Sequence, residues 1–241
     1  MARPSLLNIT SWARLEQFSL QILTEGLRLL EMRKTLPRQE DPLNFRLHAC
    51  CRKAKHDLVK AGQGFPCTLM YEGNNQPMAY DHQRAARLGK RPDFQVSLHD
   101  DQAEDWKWSE LFFTIECKRL GAPMPATWML NENYVLNGIN RFCDNQWGYA
   151  RGVPNGAMVG YMQSMDPATI FAEVNGHGVT SGHGPIPPAA PTWVAQDVTQ
   201  FNPHRLNRPF APNPFTLHHL WVDLRHRNFV RVNLRKKKKK K

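Results

Sequence analysis

The chain has no apolar run approaching the roughly 20 residues that a membrane-crossing helix requires. Its first residues also lack the basic-then-apolar order of a secretory signal. Cysteines are few: Cys50, Cys51, Cys67, Cys117 and Cys143 are odd in number, include an adjacent pair and show no Cys-x-x-Cys spacing. That usage excludes a disulfide framework and a structural zinc site as leading readings. Together these absences predict a soluble protein of a reducing compartment, the cytoplasm. The phosphate-binding pattern Gly-x-x-x-x-Gly-Lys-Ser/Thr is missing, so the chain carries no ATP motor of its own. No Gly-x-Ser-x-Gly elbow supports a serine hydrolase, and no repeat of solenoid length occurs.

Acidic residues are in the minority, with 21 Asp and Glu against 32 Lys and Arg and a formal net charge of +11. Lys236 to Lys241 supply six of those charges, which leaves +5 for the rest, an excess compatible with a polyanionic partner. Six adjacent ammonium groups repel one another and have no apolar face to bury, so residues 236–241 are expected to form a disordered poly-Lys tail. Such a tail would attract phosphates without regard to sequence, or serve as a solubility tag.

What is present is enough apolar sequence for one core. With 241 residues, 41% of them hydrophobic, and no shift in composition, a single domain over residues 1–235 is expected. Leu15, Phe18, Ile22, Leu29 and Leu30 recur at helical spacings within Thr10 to Lys34, with Thr10 or Ser11 as N-cap. Pro37 and Pro42 interrupt that pattern. Leu43, Leu47, Cys50, Ala54 and Leu58 then predict a second helix ending near Gly62.

From Pro66 the texture changes to strands. Thr68 to Tyr71 precedes the turn signal Gly73-Asn74-Asn75, and the basic stretch Arg84, Arg87, Lys90 and Arg91 follows. Two segments then alternate with a period of two, one through Phe94, Val96 and Leu98, the other through Phe113, Ile115 and Cys117, joined by an acidic loop containing tryptophan. Asn131 to Phe142 reads as a helix carrying Tyr134, Leu136 and Ile139, and Ala157 to Met162 as a buried strand. The order strand, strand, helix, strand predicts an α/β fold with a mixed sheet. Residues 176–214, rich in Gly and Pro, predict a long loop with sparse regular structure. Leu217 to Leu224 and Phe229 to Leu234 predict a terminal β-hairpin.

The chemistry concentrates in Arg91-Pro92-Asp93-Phe94 and in Phe112-Phe113-Thr114-Ile115-Glu116-Cys117-Lys118. Side chains alternate across a strand, so Glu116 and Lys118 emerge on one face while Ile115 and Cys117 point to the core. If the Asp93 strand lies alongside, its carboxylate reaches the same place. Two carboxylates and a main-chain carbonyl then make a hard oxygen site suited to Mg²⁺ or Mn²⁺. Buried without partners, such charges would cost several kcal/mol, which a metal and a phosphate would offset. The blander reading puts Glu116 and Lys118 on the solvated face of an edge strand.

Pro92-Asp93 followed by Glu116-x-Lys118, 23 residues apart, resembles the signature of the PD-(D/E)xK (restriction-endonuclease-like) nuclease superfamily, over about residues 12 to 165. The resemblance implies a restriction-endonuclease-like mixed sheet flanked by helices. It implies a Mg²⁺- or Mn²⁺-dependent endonuclease, acting on DNA in preference to RNA, in a prokaryotic defence or restriction system. Asp93, Glu116 and the main-chain carbonyl of Cys117 would bind the metal, and Lys118 would hold the attacking water. Many members add an acidic residue from the first helical region; Glu40 is the preferred candidate here, with Glu31 next, although a surface role is the expected reading for either one. The partners implied are nucleic acid, a separate ATPase, helicase or other defence-system subunit, and a second copy of the chain. The competing reading is a catalytically inactive nuclease-like fold that binds nucleic acid or protein.

Other constellations carry less. Asn137, Asn140 and Arg141 follow the catalytic strand and could contact a phosphate, but an ordinary solvated helix face is the preferred reading. Residues 134 to 161 do not match the Gln-x-x-x-Tyr pattern of RecB-like nucleases. His177 and His183 with His218 and His219 invite a zinc site, yet no cysteine joins them at ligand spacing. His218, His219, Trp221 and Asp223 are expected to pack on alternate faces of a strand. His226 with Asn228 is too short for a His-Asn-His nuclease motif.

Overall fold

A computed structural model describes residues 6–75, 84–106, 109–189 and 196–232, with backbone alone for 6–10 and 84–85. The chain opens with a long helix, α1 (Leu6–Glu31), then a short strand β1 (Thr35–Pro37), helix α2 (Glu40–Lys60) and strand β2 (Thr68–Tyr71). A single turn, α3 (Arg84–Arg87), leads to β3 (Phe94–His99) and β4 (Glu110–Leu120). Next comes an unbroken helical run: α4 (Leu130–Tyr134), a π turn (Val135–Ile139) and α5 (Asn140–Cys143). Strand β5 (Asn155–Met162) and helix α6 (Pro167–Thr180) follow, then β6 (Val198–Gln200), β7 (His204–Leu206), β8 (Phe215–Asp223) and β9 (Asn228–Val230).

Seven strands form one mixed sheet in the order β2-β3-β4-β5-β8-β6, with β7 also on β8; β4, β5 and β8 run parallel and the other pairings are antiparallel. Parallel strands need both faces covered, and β5 and β8 are accordingly buried along almost their whole length. One face is covered by α1 and α2. There Trp12 meets Phe113, Glu16 meets His218, and Asn44 accepts a hydrogen bond from the Tyr161 hydroxyl. The opposite face is covered by α4 to α6, where Tyr134 meets His219 and Trp221. Gly160 is side-chain-free for a reason: a Cβ there would lie 2.6 Å from Trp221 Cδ1 and 2.5 Å from Leu120 Cδ1.

The α/β class and mixed sheet agree with the sequence reading, and several local expectations are corrected. Helix α1 already includes Leu6, so Thr10 and Ser11 lie inside it rather than capping it. Helix α2 begins at Glu40 and takes Pro42 into its first turn, where a missing N–H costs no intrahelical bond. Residues 176–214 are not one long loop, since α6 reaches Thr180 and β6 and β7 add to the sheet; the Gly-His-Gly of 176–178 is helical. The terminal hairpin does not form. Strand β8 is inside the large sheet, while β9 pairs parallel with β1 as Thr35↔Asn228 and Leu36↔Phe229. Leu136, read as a core position, is 43% exposed. The poly-Lys tail lies outside the described residues. Among the described residues no helix is long and apolar enough to cross a membrane.

Candidate active site

The antiparallel register Phe94↔Ile115 puts Asp93, one residue before β3, beside Glu116 on β4. By alternation Phe94, Ile115 and Cys117 face α1 and α2, whereas Glu116 and Lys118 face the π turn. The Asp93 carboxylate is fixed from behind: its Oδ2 accepts the backbone N–H of Cys117 at 2.7 Å. Glu116 is fully buried and Lys118 almost so, which overturns the solvated edge-strand alternative, because β4 is a central strand.

Lys118 Nζ is the hub. It donates to Glu116 Oε1 at 2.7 Å, to Glu40 Oε1 at 2.8 Å and to the carbonyl of Cys117 at 2.8 Å. Glu40, the first residue of α2, also accepts the Arg119 backbone N–H through Oε2 at 3.3 Å. Glu40 thus joins the cluster, whereas Glu31 does not, being held by His226 and Arg227 of the C-terminal segment.

The helical pattern predicts a solvated Arg141, and the structure corrects this. Its guanidinium pairs with Glu116 Oε1 and lies over the Trp147 ring at 4.1 Å, while Lys90 caps that ring at 4.4 Å. A sequence signal for this existed, because Tyr134, Gly138 and Arg141 fall on one i, i+4, i+7 line. Gly138 leaves the room that Lys118 needs: a Cβ there would sit 3.4 Å from Lys118 Cγ and 2.5 Å from Met158 Cε. Asn140 is turned away, bonded through Oδ1 to the His183 ring at 2.9 Å, and Asn137 is exposed and donates to Asn133.

The electrostatics follow from burial and crowding. Burial and then the neighbouring Glu116 carboxylate raise the Asp93 pKa well above the usual range. Glu116 is also raised by burial, against the pull of Lys118 and Arg141. Burial opposes the Lys118 ammonium, but Glu116, Glu40 and Asp93 together outweigh it and raise its pKa. Asp93, Glu116 and Glu40 thus crowd three carboxyl groups against Lys118 and Arg141.

As they stand, no three His, Cys, Asp or Glu side chains among the described residues are arranged to hold a metal ion. Lys118 itself engages three oxygens of the expected ligand set. The donor chemistry nonetheless suits a hard divalent cation, since every candidate donor is an oxygen. Glu116 Oε2 is buried with no hydrogen-bond partner, an unsatisfied anionic oxygen of the kind such a cation accepts.

The histidines are placed differently from a zinc site. His219 and His204 face each other (Nε2 to Nδ1, 3.2 Å), His219 Nδ1 meets the Tyr134 hydroxyl at 2.8 Å, and His204 Nε2 meets the His183 carbonyl at 3.0 Å. His177 lies on α6, and His218 pairs with Glu16 on the far face of the sheet.

Fold and site together define an α/β protein in which buried Glu116 and Lys118 of a central strand meet partly exposed Asp93, Glu40 and Arg141. Comparison of the chain with protein-family models, curated proteins and solved structures finds no match.

Proposed function

We propose that the chain is a divalent-metal-dependent nuclease with a restriction-endonuclease-like core, hydrolysing phosphodiester bonds, in DNA in preference to RNA. The observation that carries the reading is the convergence of Asp93, Glu116, Lys118 and Glu40, drawn from three separate elements, with Glu116 Oε2 buried and unpartnered. A surface ion pair would not require a central strand to bury a Glu-x-Lys pair at such cost.

Asp93, Glu116, Glu40 and the Cys117 carbonyl would hold Mg²⁺ or Mn²⁺. When bound, that ion supplies a lowered pKa for water and charge compensation at the phosphoryl oxygens. Lys118, released from part of its present hydrogen bonding, would orient the attacking water with its ammonium. Arg141, set by the Trp147 ring, would neutralise charge developing on the phosphate. The Cys117 N–H keeps the Asp93 carboxylate aimed at the cluster.

The test is digestion of supercoiled DNA, linear DNA, single strands and RNA with Mg²⁺, Mn²⁺ or EDTA, on wild type and Asp93→Asn. Hydrolysis that needs the metal and is lost in Asp93→Asn is expected. Full activity in EDTA, or an unaffected Asp93→Asn enzyme, would refute the proposal. Absence of hydrolysis with intact nucleic-acid binding would leave the non-catalytic binding subunit.

A further inference from the structure

An open groove of about 500 Å³ runs between α2 and β2, lined by His48, Arg52, Lys55, His56, Val59, Thr68 and Leu69. None of these side chains is a carboxylate. Arg52 and His56 are exposed, whereas the Lys55 ammonium is anchored on the Cys67 carbonyl. Asp57, the carboxylate next to His56 in sequence, is not in the groove and pairs with Lys53 at 2.5 Å. The cationic edge of the groove is therefore not compensated from within.

Aromatic rings connect this groove to the Asp93 end of the site. His48 stacks on Tyr71 at 5.5 Å with 20° between the planes, Phe45 meets Tyr71 at 6.1 Å, and Tyr71 meets Phe94 at 5.7 Å. Phe45 is 60% exposed and edges onto Tyr71, which leaves its outer face open to a stacking partner. Phe45, His48, Arg52, His56 and Val59 recur at three- and four-residue steps, so they form one stripe along α2. Helix α2 starts with Glu40 in the cluster, and His56 lies about 24 Å further along its axis.

A stripe of exposed ring, stacked rings and the exposed Arg52 guanidinium matches single-stranded nucleic acid, whose unpaired bases stack on aromatics while its phosphates take Arg and Lys. A duplex offers its phosphates but hides its base faces. We propose that the α2–β2 groove is the lead-in track for a single-stranded nucleic acid, holding its backbone on Arg52 and His56 and stacking a base at Phe45. The strand then points into the Asp93–Glu116–Lys118 cluster. This deepens the nuclease reading and rests on it for direction, but binding at the groove is measurable without catalysis.

The experiment measures fluorescence anisotropy of a labelled oligothymidylate of about 15 nucleotides, and of a duplex of equal length, in EDTA over a range of salt. The full chain is used throughout, with each variant's melting curve as a folding control. Wild type should bind the single strand more tightly than the duplex. Arg52→Glu should weaken single-strand binding about tenfold and make the salt dependence shallower by about one ion. Phe45→Ala should weaken it at least about fivefold while leaving duplex binding unchanged. Lys53→Glu makes the same change of charge outside the groove and should have little effect. Equal losses in Arg52→Glu and Lys53→Glu, equal or tighter duplex binding, or no binding by wild type would each overturn the assignment. Metal-dependent hydrolysis indifferent to Arg52→Glu and Phe45→Ala would sink the groove alone. Groove-dependent binding without hydrolysis would sink the nuclease reading alone.

Discussion

At the residue scale, Lys118 is the most consequential side chain of the cluster because three acceptors converge on one buried ammonium. Removing one member of a buried ion pair leaves the partner charge uncompensated and costs about 3–5 kcal/mol. Arg141 still faces Glu116, so Lys118→Met is expected near the lower end of that range, with the fold retained. The same variant should lower turnover by a factor on the order of 10² or more while substrate binding changes little. Single-turnover cleavage, binding and thermal melting on this variant check both parts; wild-type turnover by well-folded Lys118→Met protein would end the catalytic role. Legibility differed residue by residue. Alternation along β4 was enough to put Glu116 and Lys118 on one face, and position near a helix start was enough to favour Glu40. Arg141 was passed over because a lone arginine on an amphipathic helix has the same local pattern whether it faces water or a buried carboxylate.

At the element scale, the segment 130–143 was legible as helical, but its π turn was not. A π turn inserts a residue into the helical period and is set by what the helix packs on, here Met158 and the Lys118 stem. On the same packed face, Trp221 Nε1 donates to the Tyr134 hydroxyl at 2.9 Å. The hydroxyl then donates to His219 Nδ1, which fixes His219 as the Nε2–H tautomer donating to His204; His204 in turn donates to the His183 carbonyl. Every position in that chain is satisfied only when both imidazoles are neutral. Burial first, then the charges of His204 and His218, hold the His219 pKa well below its ordinary value, and burial likewise lowers His204. The folded-state values lie below the unfolded ones, so this contribution to stability is complete above about pH 6.5 and is lost as the pH falls through that value. The melting temperature should therefore drop on acidification from pH 7 to 5, and His219→Gln should flatten that drop while lowering the plateau. An unchanged pH profile in His219→Gln would refute the role of the pair.

At the scale of the whole molecule, residues 226–232 are fastened to residues 31–39. Strand β9 pairs with β1, the Gln39 side chain brackets Val232 (2.9 and 3.2 Å), and Glu31 takes His226 and Arg227. The six lysines at 236–241 come later in sequence and add more than half of the formal net charge. Deleting them should weaken nucleic-acid binding and flatten its salt dependence, with cleavage at saturating substrate intact, as counterion release requires. Loss of turnover at saturation would contradict this.

The sequence by itself determined the features that depend on local period and chemistry. These are the two opening helices, the alternating strands, the α/β class, and the grouping of Asp93, Glu116 and Lys118, whereas Glu40, expected at the surface, joined them only in the fold. Only the tertiary structure decided which strand lies beside which. A terminal hairpin and a β9 that crosses to β1 have the same alternating residues and the same short turn, so pairing is chosen by long-range packing. For the same reason it took the folded sheet to show that Glu116 is buried rather than solvated and that Arg141 shares its carboxylate.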